Sequence, residues 1–138
     1  MAAKGFTLLE MMLVLVIAAL LVSLVAPRFG ALLPSLTLQG EARTTAALLR
    51  KLRSDALSQS RPLSLKLSED GTTLLLPPDL GDRQLPQGIT ALLGGGLKSL
   101  DFFADGTARG GDLLLSSKAG HLRVHLDWLT AEVSIHDQ

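Results

Sequence analysis

The sequence contains no cysteine among its 138 residues, and aromatic residues make up only 4% of it. Without cysteine there is no disulfide framework, no thiol nucleophile and no thiolate metal site. With so few aromatic residues, a hydrophobic core has to be built mainly from aliphatic side chains. The 13 basic and 13 acidic residues balance, so net charge does not point to a nucleic-acid partner.

What the sequence does have is a long apolar segment near its N-terminus. Of the 21 positions from Phe6 to Ala26, only Thr7, Glu10 and Ser23 are not apolar. A helix of that length reaches ~31 Å, close to the ~30 Å hydrocarbon core of a bilayer. Residues 6–26 therefore predict a membrane-spanning helix. Lys4 in front of it predicts a cytoplasmic N-terminus, with the rest of the chain on the far side of the membrane, which for a bacterium is the periplasm.

Two simpler interpretations compete for this segment. The first is a cleaved secretory signal peptide, but Leu24 is a poor residue for the third position before a cut after Ala26. The second is a plain signal anchor, in which Glu10 reaches back to the lipid headgroups. A charged side chain inside a bilayer costs on the order of 3 kcal/mol, so Glu10 calls for a cationic partner. The segment has no basic residue, but cleavage before Phe6 would create an α-amino group.

The residues KGFTLLE, followed at once by the apolar run, resemble the class III leader of type IV pilins and pseudopilins. The resemblance implies that a prepilin peptidase removes residues 1–5 by cutting after Gly5 and then N-methylates Phe6. It also implies that the Glu10 carboxylate pairs with the N-terminal amine of a neighbouring subunit. That pairing would set the register of helices in a filament.

The segment 27–61 is predicted to be a helical spine. Pro27 and Pro34 are expected to interrupt or kink it, and a helix-like period returns over residues 41–60 before Arg61-Pro62 ends it. The residues expected on its buried face are Thr45, Leu48, Leu49, Leu52 and Ala56. Those expected on its solvated face are Arg43, Arg50 and Lys51.

Residues 62–138 show the pattern of short strands and turns. Strands are predicted at 63–67, 72–76, 97–103, 112–116, 121–127 and 131–136, and residues 79–96 are expected to be irregular. Gly94-Gly95-Gly96 invites comparison with a phosphate-binding loop. Because no Lys-Ser/Thr follows these glycines, a flexible loop is the better interpretation. The fold class is thus α+β, with a long helix followed by a small antiparallel β-rich domain.

The C-terminal third, LDFFADGTARGGDLLL and LRVHLDWLTAEV, is similar to the domain of H-type minor pseudopilins. Ala131 stands where that family usually has glycine. The positions that match the family pattern are Phe102, Phe103, Asp105, Gly106, Thr107, Gly110, Gly111, Asp127, Trp128, Leu129, Thr130 and Val133.

These motif residues have structural explanations. Asp105-Gly106 is typical of a tight turn, and Gly110-Gly111 allows a bulge or a close backbone approach. Phe102 or Phe103, together with Trp128, is expected to supply the large side chains of the core. The alternative is an exposed aromatic docking patch.

No catalytic residue, cofactor or metal site is assigned. His121 and His125 share one face of a strand and invite a metal site with Asp112 or Asp127, but the spacing indicates no third ligand. No nucleophile motif such as Gly-x-Ser-x-Gly is present, so an enzyme is not expected.

The resemblance implies a minor pseudopilin at or near the tip of the periplasmic pseudopilus of type II secretion, aiding export of folded proteins across the outer membrane. Implied partners are other major and minor pseudopilins, prepilin peptidase, inner-membrane lipid before assembly, and secreted cargo or the outer-membrane channel. No nucleic acid is expected. The alternatives are a minor type IV pilin that primes pilus assembly and a membrane-anchored periplasmic binding module that does not polymerise.

Overall fold

The structure, a computed structural model, describes residues 7–137, apart from the side chains of residues 24–32. It opens with one α-helix, α1, over Leu8–Gln59. Residues 1–33 and 34–138 form two separate compact units. The predicted leader cleavage at Gly5 and methylation at Phe6 lie outside the described residues.

The helix α1 is continuous through both prolines, so the expected interruption at Pro27 or Pro34 is wrong. A proline removes one helical hydrogen bond but does not have to end a helix whose next turns are fixed by packing. Such packing is present beyond Pro34, because Leu38 and Ala42 are buried. The kink predicted at Pro27 stays a prediction.

The helix ends where Arg61-Pro62 was predicted to end it. Ser60 adopts a left-handed backbone with φ of 50°. The N–H of Arg61 then donates to the carbonyl of Ala56 at 3.2 Å, and the N–H of Ser60 donates to that of Leu57 at 3.4 Å. These two bonds form a Schellman cap.

The face of α1 predicted to be buried is confirmed. Thr45, Leu49, Leu52 and Ala56 are 0% exposed, and Leu48 packs partly buried against them. The basic residues predicted on the solvated face, Arg43, Arg50 and Lys51, are exposed.

Within the described residues, nine strands follow in two antiparallel sheets. Sheet A has the order β3-β2-β1-β5-β6 and comprises β1 Leu63–Leu67, β2 Thr73–Leu75, β3 Arg83–Gln84, β5 Ser99–Phe102 and β6 Ala108–Arg109. Sheet B has the order β4-β7-β8-β9 and comprises β4 Thr90–Leu93, β7 Gly111–Ser117, β8 Gly120–Leu126 and β9 Val133–Asp137.

Hydrogen bonds outside the ladders join the two sheets. The N–H of Ala91 on β4 donates to the carbonyl of Gly71 at 2.8 Å, at the turn between β1 and β2. The N–H of Ala108 on β6 donates to the carbonyl of Trp128 at 3.0 Å, just after β8. The buried side chains of both sheets and of α1 form one core, which is aliphatic apart from Phe102.

The segment 79–96 is less irregular than expected. It contains β3, β4 and a 3-10 turn at Gly94–Gly96, in which Gly95 has φ of 66°. Ala91 and Leu93 of β4 are buried, whereas Thr90 and Leu92 are exposed. The alternation is hidden in the sequence because Leu92 is an apolar residue on the solvent face.

The expected aromatic core is only partly correct. Phe102 is 0% exposed, as expected of a core residue, whereas Phe103 is 36% and Trp128 66% exposed. Phe103 follows Phe102 directly and therefore lies on the opposite face of the strand. Trp128 lies in a tight loop after β8 that turns it toward solvent.

Candidate functional site

The N-terminal segment is an apolar helix with a single acid. All described side chains from Thr7 to Ser23 are exposed within this chain, and Glu10 is the one ionisable residue among them. Thr7 begins the helix, because its hydroxyl accepts a hydrogen bond from the N–H of Glu10 at 3.3 Å. The role of Thr7 as an N-cap was missed from the sequence, although Thr-x-x-Glu is the spacing of a capping box.

Glu10 forms no ion pair with any of the side chains that the structure describes, those of residues 7–23 and 33–137. Within the described part of the chain, no helix is long and apolar enough to cross a membrane. The predicted span of residues 6–26 extends beyond the described side chains at both ends and stays a prediction.

The turn predicted at Asp105-Gly106 is present. The Asp105 carboxylate accepts hydrogen bonds from the hydroxyl of Thr107 at 2.6 Å and from its N–H at 2.9 Å. These bonds lower the pKa of Asp105, since they favour its charged form. Gly106 has φ of 87°, a conformation that glycine adopts without strain.

A second aspartate fixes the loop after β8. Asp127 accepts hydrogen bonds from the N–H of Thr130 at 2.8 Å, the N–H of Leu129 at 2.9 Å and the hydroxyl of Thr130 at 3.0 Å. The bonds to the two backbone N–H groups, then the one to the hydroxyl, lower the pKa of Asp127. These bonds fix the backbone of the loop, in which the side chains of Trp128 and Leu129 are 66% and 59% exposed.

Gly110 makes room for this loop. A Cβ atom at Gly110 would overlap the carbonyl oxygen of Leu126 and would lie 2.7 Å from the nitrogen of Trp128. The structure thus places a close backbone approach at Gly110. A Cβ atom at Gly111 would overlap the side chain of Leu97.

Ala131 closes the loop in a strained conformation. It has φ of 50° and is 2% exposed, a region of backbone space that costs an alanine roughly 1 kcal/mol or more. Ala131, which stands where the similar family usually has glycine, therefore forms the turn with strain that glycine would not have.

The two histidines considered as metal ligands lie on the outer face of sheet B. The Nδ1 atom of His125 lies 2.7 Å from the carboxylate of Asp112, and that of His121 lies 2.9 Å from the hydroxyl of Ser116. Asp127 is engaged in its own loop. Among the described residues, no group of three or more metal-binding side chains converges.

Comparison with known proteins connects both ends of the chain to one class of protein. Residues 1–26 match the profile of the prokaryotic N-terminal methylation motif. The type II secretion system protein H of Xanthomonas campestris pv. campestris is 29% identical over 139 residues, which cover 94% of this chain and 81% of that protein. The protein of the same name from Pseudomonas aeruginosa is 34% identical over 85 residues, 62% of this chain and 49% of that protein. The chain is thus similar to two type II secretion system H proteins, one of them along most of its length.

Solved structures support the fold of this chain. The minor pseudopilin EpsH of the Vibrio cholerae type 2 secretion system matches with a TM-score of 0.57 at 15% identity, covering 72% of this chain and 95% of that one. The type IV minor pilin FimU of Pseudomonas aeruginosa matches with a TM-score of 0.56 at 20% identity, covering 71% and 91%. At these identities the two structures show the fold alone. They bear out the predicted α+β architecture of a long helix and an antiparallel β-rich domain.

Proposed function

We propose that this protein is a minor pseudopilin, a structural, non-catalytic subunit of the periplasmic pseudopilus of a type II secretion system. Its place is at or near the tip, where it aids export of folded proteins across the outer membrane. The observation that supports this is the exposed apolar surface of α1 from Leu8 to Val22, interrupted only by Glu10 as a charged group. Such a surface needs lipid or other helices to cover it.

The N-terminal part of α1 then lies in one environment before assembly and in another after it. Before assembly, residues 6–26 hold the subunit in the inner membrane, with the N-terminus cytoplasmic and the β-rich domain periplasmic. After assembly, the same apolar surface packs among the helices of other major and minor pseudopilins. The domain 62–138 faces outward, and 27–61 connects it to the anchored segment.

In this proposal, Glu10 sets the register of the α1 helices of neighbouring subunits in the filament. Prepilin peptidase removes residues 1–5 after Gly5 and methylates Phe6, which places a cationic amine at the start of the mature chain. The carboxylate of Glu10 has no ion-pair partner in the described part of its own chain. An amine from a neighbouring subunit satisfies it, because a charge in an apolar environment is stable only when paired.

We expect Glu10→Ala to leave membrane insertion intact and to reduce incorporation into pseudopili at least tenfold, since an unpaired amine would remain buried. The measurement is co-expression with prepilin peptidase and the other pseudopilins, followed by quantitation of this chain in sheared filaments. Ser23→Ala is the matched control, because the Ser23 hydroxyl is also on the apolar segment but bonds the carbonyl of Leu20 within its own helix.

Intact mass decides whether both variants are processed equally. Each is expected to lack residues 1–5 and to begin at N-methyl-Phe6. Normal incorporation of the Glu10→Ala chain would refute the register role, and persistence of residues 1–5 would favour the membrane-anchored module that does not polymerise.

A minor type IV pilin is the second candidate, because FimU and EpsH match the fold of this chain equally well and the fold alone does not separate the two roles. Photo-crosslinking from Lys118 in the native host separates the two. Lys118 is exposed in the turn between β7 and β8, whereas Arg109 is already paired with Asp101 at 3.1 Å. Pseudopilins or the secretion channel as partners support the first candidate, and pilins support the second.

A further inference from the structure

One edge strand of the β-rich domain is long and has no strand on its outer side. The edge strands are β3 and β6 in sheet A, and β4 and β9 in sheet B. The strands β3 and β6 have two residues each, and β4 uses the N–H of Ala91 to bind the carbonyl of Gly71 at 2.8 Å. The strand β9, Val133–Asp137, has five residues. Within the described residues it is therefore the longest edge that is open to a further strand.

The hydrogen bonds around β9 show which of its backbone groups face this edge. In an antiparallel pair, the residues that exchange hydrogen bonds alternate along the strand. The N–H of Asp127 donates to the carbonyl of Glu132 at 2.9 Å, in the same register as the pairing of β8 with β9. Counting from Glu132, each even-numbered residue of β9 bonds to β8. The N–H and carbonyl groups of Val133, Ile135 and Asp137 therefore point outward.

A contact from α1 confirms this direction at one end of the edge. The Nη2 atom of Arg50 donates to the carbonyl of Val133 at 3.0 Å, so the outward acceptor of Val133 is already occupied. Among the described parts of the chain, no group bonds to the outward N–H or carbonyl of Ile135. The free part of the edge therefore begins after Val133 and is centred on Ile135.

A cavity lies beside the free part of the edge, on the core side of sheet B. Its volume is about 280 Å³. It is walled by residues of α1, β8 and β9: Gln39, Arg43, Leu122, Ile135 and Asp137. Ile135 belongs to the inward-facing row of β9, yet it is 37% exposed, whereas Val133 in the same row is 5% exposed. The core therefore leaves one of its own apolar side chains uncovered at this cavity.

We propose that the free edge of β9 binds an extended segment of another pseudopilin of the same assembly, which adds to sheet B as a further strand. The segment places an apolar side chain in the cavity against Ile135. On either side of it, an acidic residue meets Arg43 and a basic residue meets Asp137. This proposal rests on the proposed function only for the identity of the partner.

The backbone groups and the cavity together select an extended peptide segment. Outward N–H and carbonyl groups that recur at every second residue match the backbone of another strand. Because directly opposed residues of two paired strands point to the same face, the residue opposite Ile135 points into the cavity. An apolar side chain at that position covers Ile135 and is itself removed from water.

The charges at the cavity select the neighbours of that apolar residue. Arg43 and Asp137 form no ion pair with any described side chain, those of residues 7–23 and 33–137. A carboxylate beside Arg43 and a cation beside Asp137 complement both charges, whereas a like charge at either place repels the segment. The edge therefore favours one charge pattern among the extended segments that could pair with it.

A second copy of this chain is a poorer occupant of the edge. Antiparallel pairing of two β9 strands about Ile135 would place Asp137 of one copy opposite Val133 of the other. The carbonyl of Val133 is already bound by Arg50, so one hydrogen bond would be lost at each end. Val133 also brings no cation to Asp137.

Hydrogen exchange of backbone amides tests the proposal. The full-length chain, isotopically labelled and held in detergent, is mixed with each of the other pseudopilins of the same secretion system. In the free chain we expect fast exchange at Ile135 and slower exchange at Ser134 and His136, which bond to β8. Binding should slow the exchange of Ile135 by about tenfold or more and leave that of Ser134 and His136 little changed.

Ile135→Pro removes the outward N–H and is compatible with an edge strand, since that N–H does not bond to β8. It is expected to raise the dissociation constant about tenfold or more. Slow exchange at Ser134 and His136 verifies that β9 of the variant still pairs with β8.

Arg43→Glu is a second variant that does not alter the strand itself. It is expected to weaken binding about tenfold, because it repels the acidic residue of the segment. Lys51→Glu is the matched control, since Lys51 is another exposed base on α1 and does not line the cavity. The Lys51→Glu chain should bind like the unchanged chain.

Several outcomes would overturn the proposal. One is that none of the pseudopilins slows the exchange of Ile135, and another is that Arg43→Glu or a folded Ile135→Pro chain binds as tightly as the unchanged chain. Slower exchange of Ile135 in this chain alone, as its concentration rises, would assign the edge to a second copy instead. Incorporation of the Glu10→Ala chain into pseudopili is measured separately, so the proposed function and the role of the β9 edge can fail independently.

Discussion

At the scale of single residues, aspartates hold the turns of the β-rich domain by a common device. Asp70, Asp105 and Asp127 each accept hydrogen bonds from residues two or three positions later. The pKa of Asp70 is lowered to about 2, first by the hydroxyl of Ser68 and then by the hydroxyl and N–H of Thr72. The turns therefore need these carboxylates in their charged form.

Asp70→Asn is expected to make the stability of the fold depend less on pH below about pH 4. The folded pKa of Asp70 lies below its ordinary value of about 3.9, so the folded state binds fewer protons than the unfolded state. The stabilisation is thus complete above about pH 4 and is lost as pH falls toward 2. The thermal midpoint of the variant should fall less than that of the unchanged chain over this range.

Glu69→Gln is the control for Asp70, since Glu69 is an adjacent exposed carboxylate. It should keep the same acid limb as the unchanged chain. Equal slopes for the Asp70→Asn chain and the unchanged chain would show that the turn does not depend on ionised Asp70.

The role of a single residue was predictable from the sequence where local backbone geometry determines that role. The Asp105-Gly106 turn follows from side-chain capping and a positive φ, both of which are local. Trp128 was wrongly expected in the core, because its exposure depends on the position of a loop against Gly110 and β6. That information is in tertiary contacts and not in the residue type.

At the scale of elements, alternation of apolar and polar residues predicted the longer strands. In β8, Leu122, Val124 and Leu126 are buried between exposed or half-buried polar residues, and the strand was predicted within a residue at each end. The short strands β3 and β6, with two residues each, carry too few positions for any period. They exist because a longer neighbouring strand offers them hydrogen-bonding groups.

The ion pair between α1 and β3 was also missing from the sequence analysis. Glu41 is 5% exposed and accepts a hydrogen bond from Nη2 of Arg83 at 2.9 Å. The hydroxyl of Thr45 lies 3.5 Å from the same carboxylate. The partners Glu41 and Arg83 are 42 residues apart, so no local pattern indicates that they meet.

Arg83→Met should destabilise the domain by about 2 kcal/mol, because it leaves the carboxylate of Glu41 buried without a cation. The figure lies below the roughly 3–5 kcal/mol lost when a fully buried pair is broken, since the Arg83 side chain is 31% exposed and water partly replaces it. The double variant Glu41→Leu, Arg83→Met should return to within about 1 kcal/mol of the unchanged chain. Urea unfolding in detergent measures both.

Arg61→Met is the control for this pair. It removes an ion pair with Asp79 whose two side chains are 45% and 64% exposed, so it should cost less than about 1 kcal/mol. A loss as large for Arg61→Met as for Arg83→Met would contradict the role given to burial.

At the scale of the whole molecule, the sequence predicted the order of the parts but not the arrangement of the strands. The predicted arrangement of an apolar helix, a helical spine and a β-rich domain follows from composition, since the hydrophobic excess is concentrated near the N-terminus. The pairing of nine strands into two sheets was not predictable, because the sheets are joined by single backbone hydrogen bonds such as that between Ala91 and Gly71. Backbone contacts of this kind leave little trace in side-chain patterns.

The buried side chains that the structure describes begin at Leu38, which predicts where the chain can be shortened. A chain that begins at Pro34 should fold with the urea midpoint of the full-length protein, because it keeps every one of them. A chain that begins at Thr45 loses Leu38, Ala42 and the carboxylate of Glu41. Since burying a leucine is worth about 2 kcal/mol and Arg83 loses its partner, its free energy of unfolding should fall by about 3 kcal/mol or more. Equal midpoints for the two shortened chains would mean that the first turns of the spine add nothing to the stability of the β-rich domain.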